Sequence, residues 1–166
     1  MKDLLDKLSS YNVFNYLLPG VLFAYALDTV STYNLTTLNI VIGVFIYYFL
    51  GLVISRIGSL ILDPILKKIG FIKFVPYADF VAGVKADPKI EVLSEMNNTY
   101  RTLCAMVLLI VVIKLYDRLT LELPVLIEYT TNIATFALLV LFLFSYRKQT
   151  EYIKKRVTVS HSTAKK

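Results

Sequence analysis

The chain of 166 residues has one cysteine, one histidine and no tryptophan. A single thiol, Cys104, excludes an intrachain disulfide. It lies in an apolar run and reads as a buried, inert side chain. His161 is the only imidazole and sits in a polar tail. A zinc site draws its three or four ligands from Cys, His and carboxylates, and that material is missing. A Ser-His-Asp or Cys-His pair would have to use His161, which nothing rigid holds. No glycine-rich phosphate loop and no pair of carboxylates at membrane depth occurs. The reading is therefore of a protein that is not an enzyme, with no catalytic residue, no metal and no cofactor. Charge is scarce too. Asp, Glu, Lys and Arg make up 18% of the chain, against about 25% in an average soluble domain.

What is abundant is apolar surface. Hydrophobic residues reach 57%, and mean hydropathy is +0.63. A core of this length cannot hide so much of it. A soluble globule is excluded on that ground, and so is a disordered chain, which needs low hydrophobicity. A bundle whose outside faces lipid accommodates it. A membrane-spanning helix takes about 20 mainly apolar residues. Four such segments are read, over about 13–33, 38–58, 102–119 and 125–146. The expected fold class is all-α: a polytopic membrane protein with four transmembrane helices. One domain covers 1–156, and a tail over 157–166 reads as disordered.

Positive charge orients the spans. Every Lys and Arg except Lys114 and Arg118 falls before the first span, at the inner end of the second (Arg56), in the central segment 59–101 or after the fourth. Both termini and the central segment are therefore expected in the cytoplasm. The net charge of +6 is read mainly as this topology signal. The basic residues flank spans rather than forming a soluble basic module, so no specific nucleic-acid partner is expected. Asp3 and Asp6 beside Lys2 and Lys7, with no small-residue cleavage site, argue against a cleaved leader.

Leu4, Leu5 and Leu8 place an amphipathic stripe on residues 1–10, with Ser9 or Ser10 as a cap for the helix that follows. In the first span Asn12, Asn15 and Tyr16 share one face and are expected to make interhelical polar contacts. Pro19 is expected to kink this helix. In the second span Gly51, Ser55 and Ser59 repeat at four-residue spacing, a pattern that lets two backbones approach. The partner is either another helix of this chain or a second copy. Arg56, Arg101, Lys114 and Asp117 are read as charges at the membrane interface, with Lys114 and Asp117 paired. Asp63-Pro64 and Asp87-Pro88 are both helix-start signals, and Gly70 is a stop. The central segment is thus partly helical, and the helix from Pro88 is expected to run into the third span. Glu151 and Lys155 are spaced for an ion pair.

The run Tyr11-Asn12-Val13-Phe14-Asn15-Tyr16-Leu17-Leu18-Pro19-Gly20 resembles the start of a group of small four-pass bacterial membrane proteins of uncertain function. Ser55-Arg56-Ile57-Gly58-Ser59 and Met96-Asn97-Asn98-Thr99-Tyr100-Arg101-Thr102 are similar to later parts of that group. Proteins of this kind often sit beside anti-phage genes. The resemblance implies the bacterial inner membrane and a defence role, and it transfers no catalytic residue. Two functions fit the residues. One is a partner-dependent oligomeric effector that permeabilises the membrane. The other is a non-conducting anchor or scaffold for a cytosolic protein. Both expect a lipid bilayer, a homo-oligomer and a cytosolic protein as partners.

Overall fold

A computed structural model describes residues 12–164, with side chains over 12–160. The amphipathic stripe expected over residues 1–10 and its serine cap lie outside the described residues. The described residues are helical and contain no strand. Helix α1 is Val13–Val30, α2 is Ile40–Lys68, α3 is Tyr77–Ala86, α4 is Lys89–Glu122 and α5 is Val125–Ala164. Among the described residues three helices are long and apolar enough to cross a membrane: Val13–Val30, Ile40–Lys68 and Val125–Ser160. The apolar stretch 102–119 lies within α4, which is not one of the three, and carries Lys114, Asp117 and Arg118.

The helix ends follow local chemistry. Asn39 begins α2 by accepting the Ile42 N–H at 3.1 Å, as a capping side chain does. Gly70, at φ +76°, ends it. The Phe71 N–H returns to the Leu66 carbonyl at 2.9 Å, and the Gly70 N–H returns to Lys67 at 3.1 Å. Those two bonds form a Schellman cap, in which glycine takes the left-handed position at least cost. Asp87 opens α4, accepting the Lys89 N–H at 3.0 Å. The 34 residues of α4 make a rod of about 51 Å at 1.5 Å per residue.

Asp63-Pro64 behaves differently from its twin. A new helix was expected there, but α2 runs straight through, and the backbone before Asp63 is already helical. The five residues Gly58–Leu62 form a π turn instead. A matching π turn, Val13–Leu17, precedes Pro19 in α1 and takes the place of a simple proline kink. The reason is the same in both helices. Proline lacks the N–H that would pair with the carbonyl four residues back, and its ring collides with that carbonyl. A π turn moves pairing to five residues and hands the orphaned carbonyl to the next N–H.

The core lies among α1, α2 and α4. Phe23, Leu27, Ile54 and Ala105 are buried together, with Leu50, Leu109 and Ile113 packed against them. α1 and α2 cross very closely. A Cβ on Gly51 would run into the Tyr16 carbonyl, and one on Gly20 would run into that of Tyr47. The small-residue stripe of α2 therefore serves a contact inside the chain. α5 touches the other helices sparsely, and Ser145 is its one buried residue among those described. Its apolar flank is thus free to face lipid.

Three local expectations are corrected. Cys104 is exposed, not buried. A helix in lipid is apolar on both its core face and its lipid face, so an apolar neighbourhood does not locate a thiol. Glu151 pairs with Arg147 at 3.7 Å, the i, i+4 neighbour on its other side, rather than with Lys155. α5 also continues to Ala164, through the stretch read as a disordered tail. Neither proline nor glycine occurs between Val125 and Ala164 to stop it.

Candidate functional site

The buried polar groups other than Thr120 gather at one end of the bundle, where the flanking basic residues also lie. Asn15 and Thr102 are completely buried, and Ser55 nearly so. The π turn of α1 carries Asn15 inward, where Thr102 of α4 and Ser55 of α2 meet it. Thr102 Oγ1 donates to Asn15 Oδ1 at 2.8 Å, and Asn15 Nδ2 donates to Ser55 Oγ at 3.4 Å. The two hydroxyl oxygens are 3.2 Å apart. Each hydroxyl has one proton. The three side chains thus touch one another in a ring, and the single Thr102 proton has Asn15 Oδ1 and Ser55 Oγ as alternative acceptors. The Asn98 carbonyl, 2.9 Å from the Thr102 hydroxyl, is a fallback acceptor on α4 itself.

Toward the chain's basic surface, two charged contacts continue this ring. Arg101 Nη1 donates to Asp63 Oδ2 at 3.2 Å, which ties α4 to the last turn of α2. Lys148 Nζ donates to the Ser59 carbonyl at 2.5 Å and to Ser59 Oγ at 2.7 Å, which ties α5 to the π turn of α2. Lys148 also sits in the electrostatic field of Asp63, Arg101, Lys67 and Arg56. The π geometry is what makes Ser59 available. The Asp63 N–H bonds to the Gly58 carbonyl and Pro64 has no N–H, which leaves the Ser59 carbonyl to accept an ammonium.

A cavity of about 510 Å³ opens beside these contacts. It is bounded by all five helices, α1 through Tyr16 alone, and by the segment that joins α2 to α3. Such a volume is within the range of small-ligand pockets, about 300–1,000 Å³. Tyr16 and Arg56 both line it. Among the described residues no three His, Cys, Asp or Glu side chains come together as metal ligands do.

The residues singled out in the sequence divide three ways. Asn15, Ser55, Ser59 and Arg101 meet at the polar cluster, with Tyr16 and Arg56 at its edge. Tyr16 stacks edge-on against Tyr48 at 5.5 Å between centroids. Asn12 is half-buried one turn from Asn15, and Gly51 is the point of closest helix approach. Lys114 and Asp117 are at the opposite end of α4. Asp117 does not pair with Lys114 there. It accepts the Thr32 N–H at 3.0 Å and the Thr32 hydroxyl at 2.7 Å, holding down the α1–α2 connection. A backbone N–H of a loop tucked over the helix end outcompetes a solvated ammonium three residues away.

Thr102, Asp63, Lys148 and Gly20 belong to the site but were not marked as such. Thr102 had a signal, a hydroxyl next to Arg101 at the head of an apolar run. Gly20 had one too, lying four residues after Tyr16 and one after Pro19. Lys148 had none, because it resembles any basic residue that flanks a span.

The chain was compared with protein-family models, with curated proteins and with solved structures, and none of the three yields a match.

Proposed function

We propose that this protein is a four-span component of the bacterial inner membrane, with both termini and its basic end in the cytoplasm. The charge distribution supports that orientation, since nearly all Lys and Arg lie at one end. The fourth span is the 102–119 stretch of α4, whose charges sit within two turns of the helix end and can reach the headgroups. α4 has 34 residues and α5 has 40, so they measure about 51 and 60 Å. The hydrocarbon core takes about 30 Å. Both helices then stand well into the cytoplasm as a platform.

Function follows from one observation: the platform and the spans are the same rods, clamped together by Lys148–Ser59 and Arg101–Asp63. A cytosolic partner that moves the platform therefore moves the membrane helices. We read the protein as an oligomeric, partner-dependent effector that permeabilises the membrane. The sparsely packed flank of α5 is the surface on which copies would associate. The place of this activity in anti-phage defence rests on the resemblance of residues 8–115 alone.

The second reading, a non-conducting anchor, is favoured by a specific feature. The Asn15 amide is engaged within the bundle, and the interior beyond it is filled by Phe23, Leu27 and Ile54. Among the described residues no polar track crosses one copy. The test is dye release from liposomes carrying the full chain together with the protein that co-purifies with it. Release that disappears in Lys148→Met, at unchanged oligomer size, supports the effector. Intact liposomes with the partner bound would establish the anchor.

A further inference from the structure

The cavity at the basic end has an unusual charge balance. Arg56, Lys67, Arg101 and Lys155 line it, against a single carboxylate, Asp63. That carboxylate is already engaged by Arg101. Among the described residues, Arg56, Lys67 and Lys155 have no acidic partner. Moreover, Arg101 Nε is buried with no hydrogen-bond acceptor. A buried guanidinium N–H without an acceptor is costly and calls for one. The site thus has more donors than the protein has acceptors to offer.

Part of the lining is aromatic: Phe74, Tyr77, Phe80 and Tyr152. The Lys67 ammonium lies over the Phe74 ring at 4.1 Å, and Tyr77 faces Tyr152 with 6.5 Å between centroids. A hydrated bare anion gains nothing from such a lining, whereas the carbon skeleton of an ester does. Arg and Lys side chains beside aromatic rings match a phosphate ester, held by its oxygens and packed along its carbons.

We infer that the cavity bounded by Arg56, Lys67, Arg101 and Lys155 binds a phosphate ester. The group has two available sources, the phosphodiester headgroup of an anionic lipid and a soluble phosphate monoester. The inference stands apart from the effector and anchor readings, since either could carry such a ligand.

The test uses the full chain in phosphatidylcholine nanodiscs, read by native mass spectrometry. In one arm the discs are doped with phosphatidylglycerol, and in the other glycerol 3-phosphate is titrated from the buffer. The expected result is a saturable one-to-one adduct in at least one arm. Lys67 and Lys155 are exposed at the rim, so Lys67→Gln/Lys155→Gln keeps the fold, which its helical circular dichroism verifies. That double variant is expected to weaken the adduct about tenfold, as loss of two charge-assisted contacts does. Arg56→Gln is a second variant with the same expectation. Lys85→Gln/Lys89→Gln removes equal charge outside the cavity and should change nothing. An adduct confined to doped discs assigns the headgroup, and one confined to the buffer titration assigns a soluble ester. No saturable adduct in either arm overturns the inference. Equal weakening by the control pair also overturns it, because binding would then follow net charge alone.

Discussion

Thr102→Val is the sharpest probe of the polar ring. The side chains are nearly the same shape, so the change removes one hydroxyl and little packing. It leaves Asn15 Oδ1 without its 2.8 Å donor in a completely buried position. Taking a donor from a buried acceptor costs about 1–3 kcal/mol. Interhelical hydrogen bonds in membranes average about 0.6 kcal/mol and reach about 1.7. The expected loss is therefore about 1–2 kcal/mol. Asn15→Leu removes more polar atoms and yet should not cost more for its lost hydrogen bonds. The Thr102 hydroxyl it abandons can turn to the Asn98 carbonyl at 2.9 Å. The double variant Asn15→Leu/Thr102→Val replaces both partners by apolar groups, which is close to neutral for a matched pair. It should thus be more stable than the sum of the single losses implies, by about 1 kcal/mol. Reversible unfolding in mixed micelles, followed by helical circular dichroism, measures all four corners of the cycle. Independent sites add to within about 0.5 kcal/mol. Additivity at that level, or a neutral Thr102→Val, would refute the ring.

Gly51→Ala should lower the unfolding midpoint strongly, by about 1–3 kcal/mol, because its Cβ meets the backbone carbonyl of Tyr16. Gly43→Ala should cost less, since the nearest atoms there are the movable rim of the Tyr47 ring at 3.1 Å and a methyl of Thr37 at 3.2 Å; equal losses would mean that the crossing is not the limiting contact. Asp63→Asn leaves the Arg101 guanidinium poorly paired, and a loss of about 1–3 kcal/mol is expected, below the figure for a fully buried pair because both side chains retain some exposure. Adding Arg101→Met should recover part of it in the same assay, and no recovery would count against the pair. Asp117→Ala frees the connection between α1 and α2, so limited proteolysis should cut over 31–39 faster while the global midpoint shifts by under about 1 kcal/mol.

Some residues of the site were readable in advance. Asn15 was marked by an amide facing an otherwise apolar helix, and in hydrocarbon an amide seeks a partner. Ser55 and Ser59 were marked by small size at four-residue spacing. The spacing left the partner open, and the structure divides it: Gly51 and Ser55 meet α1 of the same chain, and Ser59 meets Lys148 of α5. Asp63 was misread because the dipeptide Asp-Pro starts helices in most contexts. Here the π turn before it removes the need for a start.

The sequence by itself determined the class of protein: all-helical, with segments apolar enough for a membrane. It also determined helix ends at Gly70 and Asp87. These properties are local, set by composition and by side chains bonding to backbone a few residues away. The tertiary structure alone decided which faces meet. It placed Thr102 on Asn15, Lys148 on Ser59 and Asp117 on Thr32, and it turned Cys104 outward. In lipid the core face and the outer face of a helix are both apolar, so hydropathy does not fix a helix's rotation about its axis. Backbone approach and the pairing of scarce polar groups fix it, and those depend on residues far apart in the chain.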